Sequence, residues 1–96
     1  MRKVLLEKDI EKKFCETAKA YGLYPVKMTD LSRKGAPDRM VLCNGGSVFF
    51  VEFKRPGLVP SVQQLRYHDH LTEMGFNVYV CDSMEEIHNI LDLYVF

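Results

Sequence analysis

The sequence has 96 residues, a length that predicts one domain over 1–96. Its composition, 47% hydrophobic and 27% charged, excludes the disordered and fibrous classes, and no apolar run is long enough to predict a membrane span or a signal peptide. Thirteen Lys and Arg balance thirteen Asp and Glu, so the formal net charge is zero, which taken alone argues against a nucleic-acid partner.

The charges are nevertheless segregated along the chain. All thirteen basic residues lie within 1–66 together with seven acids, whereas 67–96 contains six acids and no Lys or Arg. The two parts therefore have formal charges of +6 and −6. Two explanations stay open at this point: an uneven but inert surface charge, or a positive region that serves a site.

The cysteines and histidines predict no metal site of their own. The three cysteines are widely spaced in apolar runs, without a C-x-x-C pair: Cys15, Cys43 and Cys81. They are expected to be small buried side chains in a reducing, cytoplasmic compartment. The three histidines form no zinc-binding pattern with them: His68, His70 and His88.

The first predicted element is a helix that ends at a glycine. Its apolar residues recur at spacings of four, four, four and three, which draws a single stripe: Leu6, Ile10, Phe14, Ala18 and Tyr21. Gly22 follows at the position of a left-handed helix cap. A short strand is predicted over 24–28, where Pro25 favours the edge of a sheet.

A polar loop at 32–39 leads into a predicted β-hairpin. The hairpin consists of a strand over 39–43, a turn at 44–46 and a return strand over 47–54. The return strand is almost continuously apolar until its end, so we expect it to be central in the sheet and covered on both faces.

The second half of the chain alternates helix and strand. A capping box of Ser61 and Gln64 opens a helix over 62–75, whose predicted inner side is Val62, Leu65, Leu71 and Met74. A strand over 76–81 follows, and a second capping box opens a helix whose predicted inner side is Ile87, Ile90 and Leu91. The order α-β-β-β-α-β-α predicts an α/β fold with a mixed β-sheet flanked by helices.

Three charged residues stand at the ends of the hairpin strands. Asp38 precedes the first strand, and Glu52 and Lys54 lie two apart on the return strand and so share a face. A turn centred on residue 45 makes Asp38 and Glu52 cross-strand neighbours. Buried like charges destabilise a sheet unless a cation lies between them, and carboxylate oxygens favour Mg²⁺ or Mn²⁺. Lys54 beside such an ion could orient or deprotonate an attacking water.

Three segments together resemble the VRR-NUC branch of the PD-(D/E)XK nucleases, in its small stand-alone bacterial or phage form: G-A-P-D at 35–38, F-V-E-F-K-R-P at 50–56 and S-V-Q-Q at 61–64. The resemblance covers nearly the whole chain and implies a restriction-endonuclease-like core. It implies that Asp38 and Glu52 bind the metal and that Lys54 is the active-site lysine. Gln64 matches a motif glutamine that reaches into the site, although it is also the expected capping partner of Ser61.

One acid of the first helix is implied to complete the site. Glu7 matches the family's leading glutamate best, and Glu11, one turn further on the same face, is the alternative. Either acid would also be favourable without a ligand, since the N-terminus of a helix is the positive end of its dipole.

The resemblance implies a Mg²⁺-dependent, structure-selective DNA endonuclease that acts as a homodimer on branched DNA such as Holliday junctions. Four basic residues flank the carboxylates and are expected to contact backbone phosphates: Arg33, Lys34, Arg39 and Arg55. A flap or nicking nuclease and a non-catalytic nucleic-acid-binding module of the same fold are the alternatives. The segregated charges then predict a positive face around 38–54 and an acidic surface elsewhere, and the apolar tail at 91–96 is expected in a dimer surface or in the core.

Overall fold

The elements follow one another in the predicted order in the computed structural model, which describes residues 5–95. The helices are α1 (Glu7–Ala20), α2 (Val62–Glu73) and α3 (Met84–Leu91). The strands are β1 (Tyr24–Lys27), β2 (Arg39–Leu42), β3 (Val48–Phe53) and β4 (Asn77–Cys81). Two 3₁₀ turns lie at Asn44–Gly46 and Asp92–Tyr94. Phe96, the last residue of the predicted apolar tail, lies outside the described residues.

The four strands form one mixed sheet in the order β1-β2-β3-β4. β1 and β2 are antiparallel, β2 and β3 are antiparallel, and β3 and β4 are parallel. Because a parallel pair needs a crossover connection, α2 lies between β3 and β4 in the chain. β1 is an edge strand, as Pro25 predicts, and β3 is central, as its continuous apolar sequence predicts.

Helices cover both faces of this sheet. α1 and α3 pack on one face through a buried cluster that includes Ile10, Phe14, Ala18, Ile87, Ile90 and Leu91. α2 packs on the other face, where Tyr67 and Leu71 lie against Phe50 of β3. Side chains alternate along a strand, so Phe49, Val51 and Phe53 point towards α1 and α3, whereas Phe50 and Glu52 point towards α2. The sheet thereby aims Glu52 at α2.

The predicted inner side of α2 is confirmed at Leu71, which is buried, and is wrong at the other three residues. Val62 is 64% exposed and Met74 is 62% exposed, and Leu65 is also exposed. The side that faces the sheet is instead the stripe Gln64, Tyr67, His68 and Leu71, at i, i+3, i+4 and i+7. Two of these four positions are polar because they face Glu52, and a purely apolar periodicity cannot find such a stripe.

The remaining sequence expectations concern the cysteines, the tail and membranes. The three cysteines are free, Cys81 being buried and the other two half-buried, and burial raises the pKa of the Cys81 thiol to about 12. In the tail, Leu91 and Tyr94 pack in the core, whereas Leu93 and Val95 are exposed. Within residues 5–95, no helix combines the length and the apolar character that crossing a membrane requires.

Candidate active site

The loop that precedes β2 is anchored against the beginning of α2. Gly35 has a positive φ of +94°, and a Cβ at this position would lie 2.4 Å from the backbone oxygen of Gln63. Only glycine therefore fits the contact. Pro37 is fully buried, and the backbone oxygen of Asp38 accepts a hydrogen bond from the N–H of Met28 at 3.0 Å. The G-x-P-D segment thus has one fixed position beside α2.

Asp38 and Glu52 are cross-strand neighbours, as the hairpin pattern predicts. In the register of β2 and β3, Arg39 pairs with Val51, which places the preceding residue, Asp38, opposite Glu52. Asp38 is half-buried, and its Oδ2 accepts a hydrogen bond from the backbone N–H of Phe53 at 2.8 Å. This bond orients the Asp38 carboxylate at the end of the hairpin.

Among the described residues, only one of the two carboxylate oxygens of Glu52 accepts a hydrogen bond. The residue is 2% exposed, and its Oε2 accepts a hydrogen bond from Gln64 Nε2 at 3.0 Å. Its Oε1 faces His68 Nε2 at 3.6 Å, which is beyond hydrogen-bond distance. Both of these atoms are buried and have no hydrogen-bond partner among the residues that the structure describes. Buried polar atoms without a partner are rare, so this pair requires an explanation.

Gln64 makes both of the contacts that the sequence left as alternatives, one with Ser61 and one with Glu52. Its Oε1 accepts a hydrogen bond from the backbone N–H of Ser61 at 2.8 Å, while its Nε2 donates to Glu52. Its own backbone N–H donates to Ser61 Oγ at 3.2 Å, which completes the capping box. A carboxamide has one acceptor end and one donor end, so the same side chain caps α2 and contacts the site.

The electrostatic environment disfavours the ionised form of Glu52. Burial raises its pKa to about 8, and the neighbouring Asp38 carboxylate adds to this increase, whereas the Lys54 ammonium opposes it. Burial also lowers the pKa of His68. At neutral pH the neutral forms of both residues are therefore favoured, and their close approach is not an ion pair.

Of the two candidate acids in α1, Glu7 is the one available to the carboxylates. Glu11 Oε2 accepts a hydrogen bond from Arg39 Nε at 2.8 Å, and both side chains are mostly buried. Glu7 is exposed, and its charge contributes to the raised pKa of Glu52. A surface cleft of about 440 Å³ lies beside these acids and is lined by Leu6, Glu7, Lys8, Glu11, Arg55 and Leu58. The geometry favours Glu7 over Glu11.

The donor set suits a divalent cation of the magnesium type. Asp38 and Glu52 present carboxylate oxygens side by side, and among the described residues only Lys54 contributes a charge that would favour ionised Glu52. Hard oxygen donors are the ligands that Mg²⁺ and Mn²⁺ prefer. In the described part of the chain, however, no three His, Cys, Asp or Glu side chains are grouped so that they could hold a metal. Ligation by Glu7 therefore stays a prediction.

The four residues predicted to contact phosphates lie in different surroundings. The Arg33 guanidinium stacks on the Tyr67 ring at 4.8 Å, and its Nη1 lies 2.8 Å from His70 Nδ1. Lys34 is exposed, and it lines a surface cleft of about 280 Å³ with Arg33, Gln63 and Arg66. Arg66 is a cation that sequence reasoning did not single out.

Arg55 and Arg39 differ in how much of the guanidinium is accessible. Arg55 is exposed and lines the cleft beside Glu7. Arg39 is bound to Glu11, and its Nη1 also donates to the backbone oxygen of Pro25 at 3.2 Å. Of the four residues, Arg39 is the least able to bind a phosphate, because its guanidinium is already hydrogen-bonded to Glu11 and Pro25.

The negative charge of 67–96 is not confined to the far side of the molecule. The backbone N–H of Lys54 donates to the backbone oxygen of Cys81 at 3.1 Å, so Asp82 follows directly beside the lysine. The charges that shift the pKa of Glu52 are nevertheless those of Asp38, Lys54 and Glu7, all from the first part of the chain. The acids of 67–96 are not among the charges that raise this pKa, although the charge of Asp69 acts on the neighbouring His68.

His68 is the residue near the site that sequence reasoning missed. The histidines were considered only as zinc ligands, whereas His68 approaches a carboxylate from the helix that also bears Gln64. The spacing of four residues between Gln64 and His68 was the available signal, because residues at i and i+4 lie on the same face of a helix.

Comparisons with known proteins agree with the fold. No family model matches the sequence. A protein of Acyrthosiphon pisum secondary endosymbiont phage 1, named "Putative nuclease p44", is 36% identical over 83 residues, which cover 86% of this chain and 89% of that protein. A solved structure described as "VRR_NUC domain" has a TM-score of 0.85 and 31% identity, covering 92% of this chain and 96% of that one.

A second solved structure, described as "VRR_NUC domain protein", has a TM-score of 0.74 and covers 96% of this chain and 89% of that one. Its sequence identity of 15% means that it shows likeness of fold alone. The mixed four-stranded sheet with flanking helices is the fold of these structures.

Proposed function

The chain belongs to the VRR_NUC family of nuclease domains, and we propose that it is a metal-dependent endonuclease that hydrolyses phosphodiester bonds in branched DNA such as Holliday junctions, as a homodimer. The observation that supports catalysis best is the juxtaposition of Asp38 with a buried Glu52 whose pKa is raised to about 8. Burial and, after it, repulsion from Asp38 raise this pKa, and a divalent cation bound between the two carboxylates would offset both. Lys54 lies near enough for its charge to act on the same carboxylate.

Asp38 and Glu52 would hold Mg²⁺ or Mn²⁺, and Glu7 would complete the set from α1. The ion would act as a Lewis acid on the scissile phosphate and make a bound water more acidic. Gln64 holds Oε2 of Glu52 by a hydrogen bond, and the Phe53 N–H holds Oδ2 of Asp38. Both carboxylates are thus oriented by the protein before substrate arrives.

Lys54 would act on the reacting groups. Its backbone is fixed by the hydrogen bond to Cys81 at the end of β3, and its side chain is half-buried. An ammonium at this position would orient the attacking water and stabilise negative charge that develops on the phosphate oxygens.

Exposed cations beside the site would contact the sugar-phosphate backbone. Arg33, Lys34 and Arg66 share one cleft, and Arg55 lines the cleft that contains Glu7. Backbone contacts position a protein on DNA without reading its sequence, so we expect the selectivity to depend on the shape of the DNA. A Holliday junction has two equivalent strands to cut, and a symmetric homodimer would present two sites to them.

Cleavage assays test this function. Labelled four-way junctions, flaps, nicked duplexes and linear duplexes are incubated with Mg²⁺, Mn²⁺ or EDTA, using wild type, Lys54→Ala and the control Lys19→Ala. Lys19 is exposed in the last turn of α1, whereas the residues near the carboxylates lie at the other end of that helix. We expect metal-dependent junction cleavage that Lys54→Ala lowers by about 100-fold or more and Lys19→Ala leaves unchanged.

Each part of the proposal has its own contrary result. Equal activity of wild type and Lys54→Ala on every substrate would rule out catalysis at this site. Preference for flaps or linear duplex would contradict only the proposed selectivity for junctions and would leave the nuclease activity supported. A monomer in light scattering, free or bound to a junction, would contradict the homodimer only.

A further inference from the structure

His68 and Glu52 form a buried pair that is one short movement from a hydrogen bond. His68 is 8% exposed and Glu52 is 2% exposed. Their facing atoms, Nε2 and Oε1, are 3.6 Å apart, and neither atom has another partner among the described residues. An approach of about 0.5 Å would bring them into the usual range of an N–H···O bond.

One helix face supplies both groups that approach Glu52. Gln64 and His68 are four residues apart on α2, and they address different oxygens of the same carboxylate, Oε2 and Oε1. An ionised carboxylate accepts up to four hydrogen bonds or ligands, so a donor on each oxygen leaves a lone pair on each for a cation. The two side chains of α2 can therefore orient the carboxylate and still leave a lone pair on each oxygen for the cation.

We propose that His68 is a positioning residue: its Nε2–H donates to Glu52 Oε1 and, with Gln64, fixes the orientation in which Glu52 binds the divalent cation. This inference rests on the proposed metal-dependent function. Direct binding of His68 to the cation is disfavoured because Mg²⁺ prefers oxygen ligands. The role requires the imidazole tautomer in which Nε2 bears the proton.

Nitrogen NMR of the wild-type protein tests the tautomer directly. Long-range ¹⁵N–¹H spectra of the His68 ring are recorded while MgCl₂ is added in the absence of DNA. We expect a protonated Nε2 with bound Mg²⁺, and a change in its shift that saturates together with the backbone signals of Asp38 and Glu52. A ring protonated on Nδ1 alone, with Mg²⁺ bound, would overturn the inference and leave the metal site intact.

The same titration separates the two levels of the proposal. If Mg²⁺ at millimolar concentration moved no signal of Asp38, Glu52 or His68, the metal site and the role of His68 would both be wrong. If the two acids shifted and the His68 ring did not, only the role of His68 would be wrong.

Variants add a measurement that a packing role would not affect. Substitution of a residue that hydrogen-bonds to a metal ligand typically lowers metal affinity by about 10- to 100-fold. Calorimetry should therefore show that His68→Leu binds Mn²⁺ about 10-fold or more weakly than wild type does. His68→Gln retains an N–H donor at a similar distance and should recover most of this affinity. His88→Leu, an exposed histidine on α3, is the control and should bind as wild type.

A loss of stability alone does not support the proposal. If His68→Leu were folded by circular dichroism and bound Mn²⁺ as wild type does, the proposal would be overturned. If His68→Leu did not fold, the comparison of His68→Gln with wild type and the NMR titration would decide.

Discussion

A Cβ atom on Gly35 would lie 2.4 Å from the backbone oxygen of Gln63, so the loop that carries Asp38 and the first turn of α2 are in backbone contact. Glu52 takes its hydrogen bond from the residue after Gln63, Gln64. One close contact therefore links the positions of the two carboxylates, because the loop sets Asp38 and the helix sets Glu52.

We expect Gly35→Ala to destabilise the protein and to reduce cleavage. Gly57 provides a matched control, since it also has a positive φ, +88°, but has open space where a Cβ would lie. Gly57→Ala should therefore lower the free energy of unfolding by about 1–2 kcal/mol from backbone strain alone. Gly35→Ala should lower it by about 3 kcal/mol, because α2 or the loop must also move. Equal values in urea unfolding would show that the contact has no energetic consequence.

The double role of Gln64 can be separated by two substitutions. Ser61→Ala removes the hydroxyl that caps α2 and should cost about 1 kcal/mol in urea unfolding, with cleavage at saturating Mg²⁺ unchanged. Gln64→Ala also removes the donor to Glu52, and cleavage should decrease by about 10- to 100-fold. If both variants cleaved junctions equally well, Gln64 would be a capping residue only.

The raised pKa of Glu52 predicts how stability depends on pH without metal. Between its ordinary value of 4.5 and about 8, the folded chain retains a proton that the unfolded chain has released. In EDTA the contribution of Glu52 to the free energy of unfolding should therefore be greatest below pH 4.5. This contribution should decrease as the pH rises to about 8 and then level off.

Glu52→Gln is the comparison for this pH dependence, because glutamine does not titrate. Its free energy of unfolding should lack the decrease that wild type shows over the same interval. Mg²⁺ should stabilise wild type more at pH 8 than at pH 5.5, since only the ionised carboxylate binds the cation. A wild-type profile that matched Glu52→Gln would contradict the raised pKa.

The exposed cations should differ from Arg39 in their effect on DNA binding. Arg66→Ala and Lys34→Ala should each weaken binding of a four-way junction and reduce the slope of log K against log salt by about 1. Arg39→Ala should change this slope less, because its guanidinium is bound to Glu11 and Pro25. Fluorescence anisotropy at several salt concentrations in EDTA measures both quantities, and a larger effect for Arg39 would reverse the assignment.

The parts of the site that depend on local sequence were predictable. A hairpin turn centred on residue 45 implies its register, and the structure confirms Asp38 opposite Glu52. The Ser61–Gln64 box predicted where α2 begins, and the continuous apolar run predicted that β3 is central. Each of these relationships depends on a single short segment of the sequence.

The parts that depend on distant residues were not predictable. Arg39 and Glu11 are 28 residues apart in the chain and meet only because α1 packs beside the sheet. The predicted inner side of α2 was wrong at Val62, Leu65 and Met74 because only apolar residues were counted. Gln64 and His68 face inwards instead, towards a carboxylate on another element. The i, i+4 spacing of Gln64 and His68 places them on one face, but the sequence alone does not show which carboxylate that face meets.

The order in which the site is assembled during folding follows from the topology. Asp38 and Glu52 belong to one antiparallel hairpin, which closes over a short loop, whereas Gln64 belongs to a crossover helix that must dock on the parallel β3–β4 pair. Contacts of short sequence separation generally form before those that close long loops. We expect pulsed hydrogen exchange to show β2 and β3 protected before α2, so a chain caught midway through folding would hold two neighbouring acids without the helix that orients one of them through Gln64.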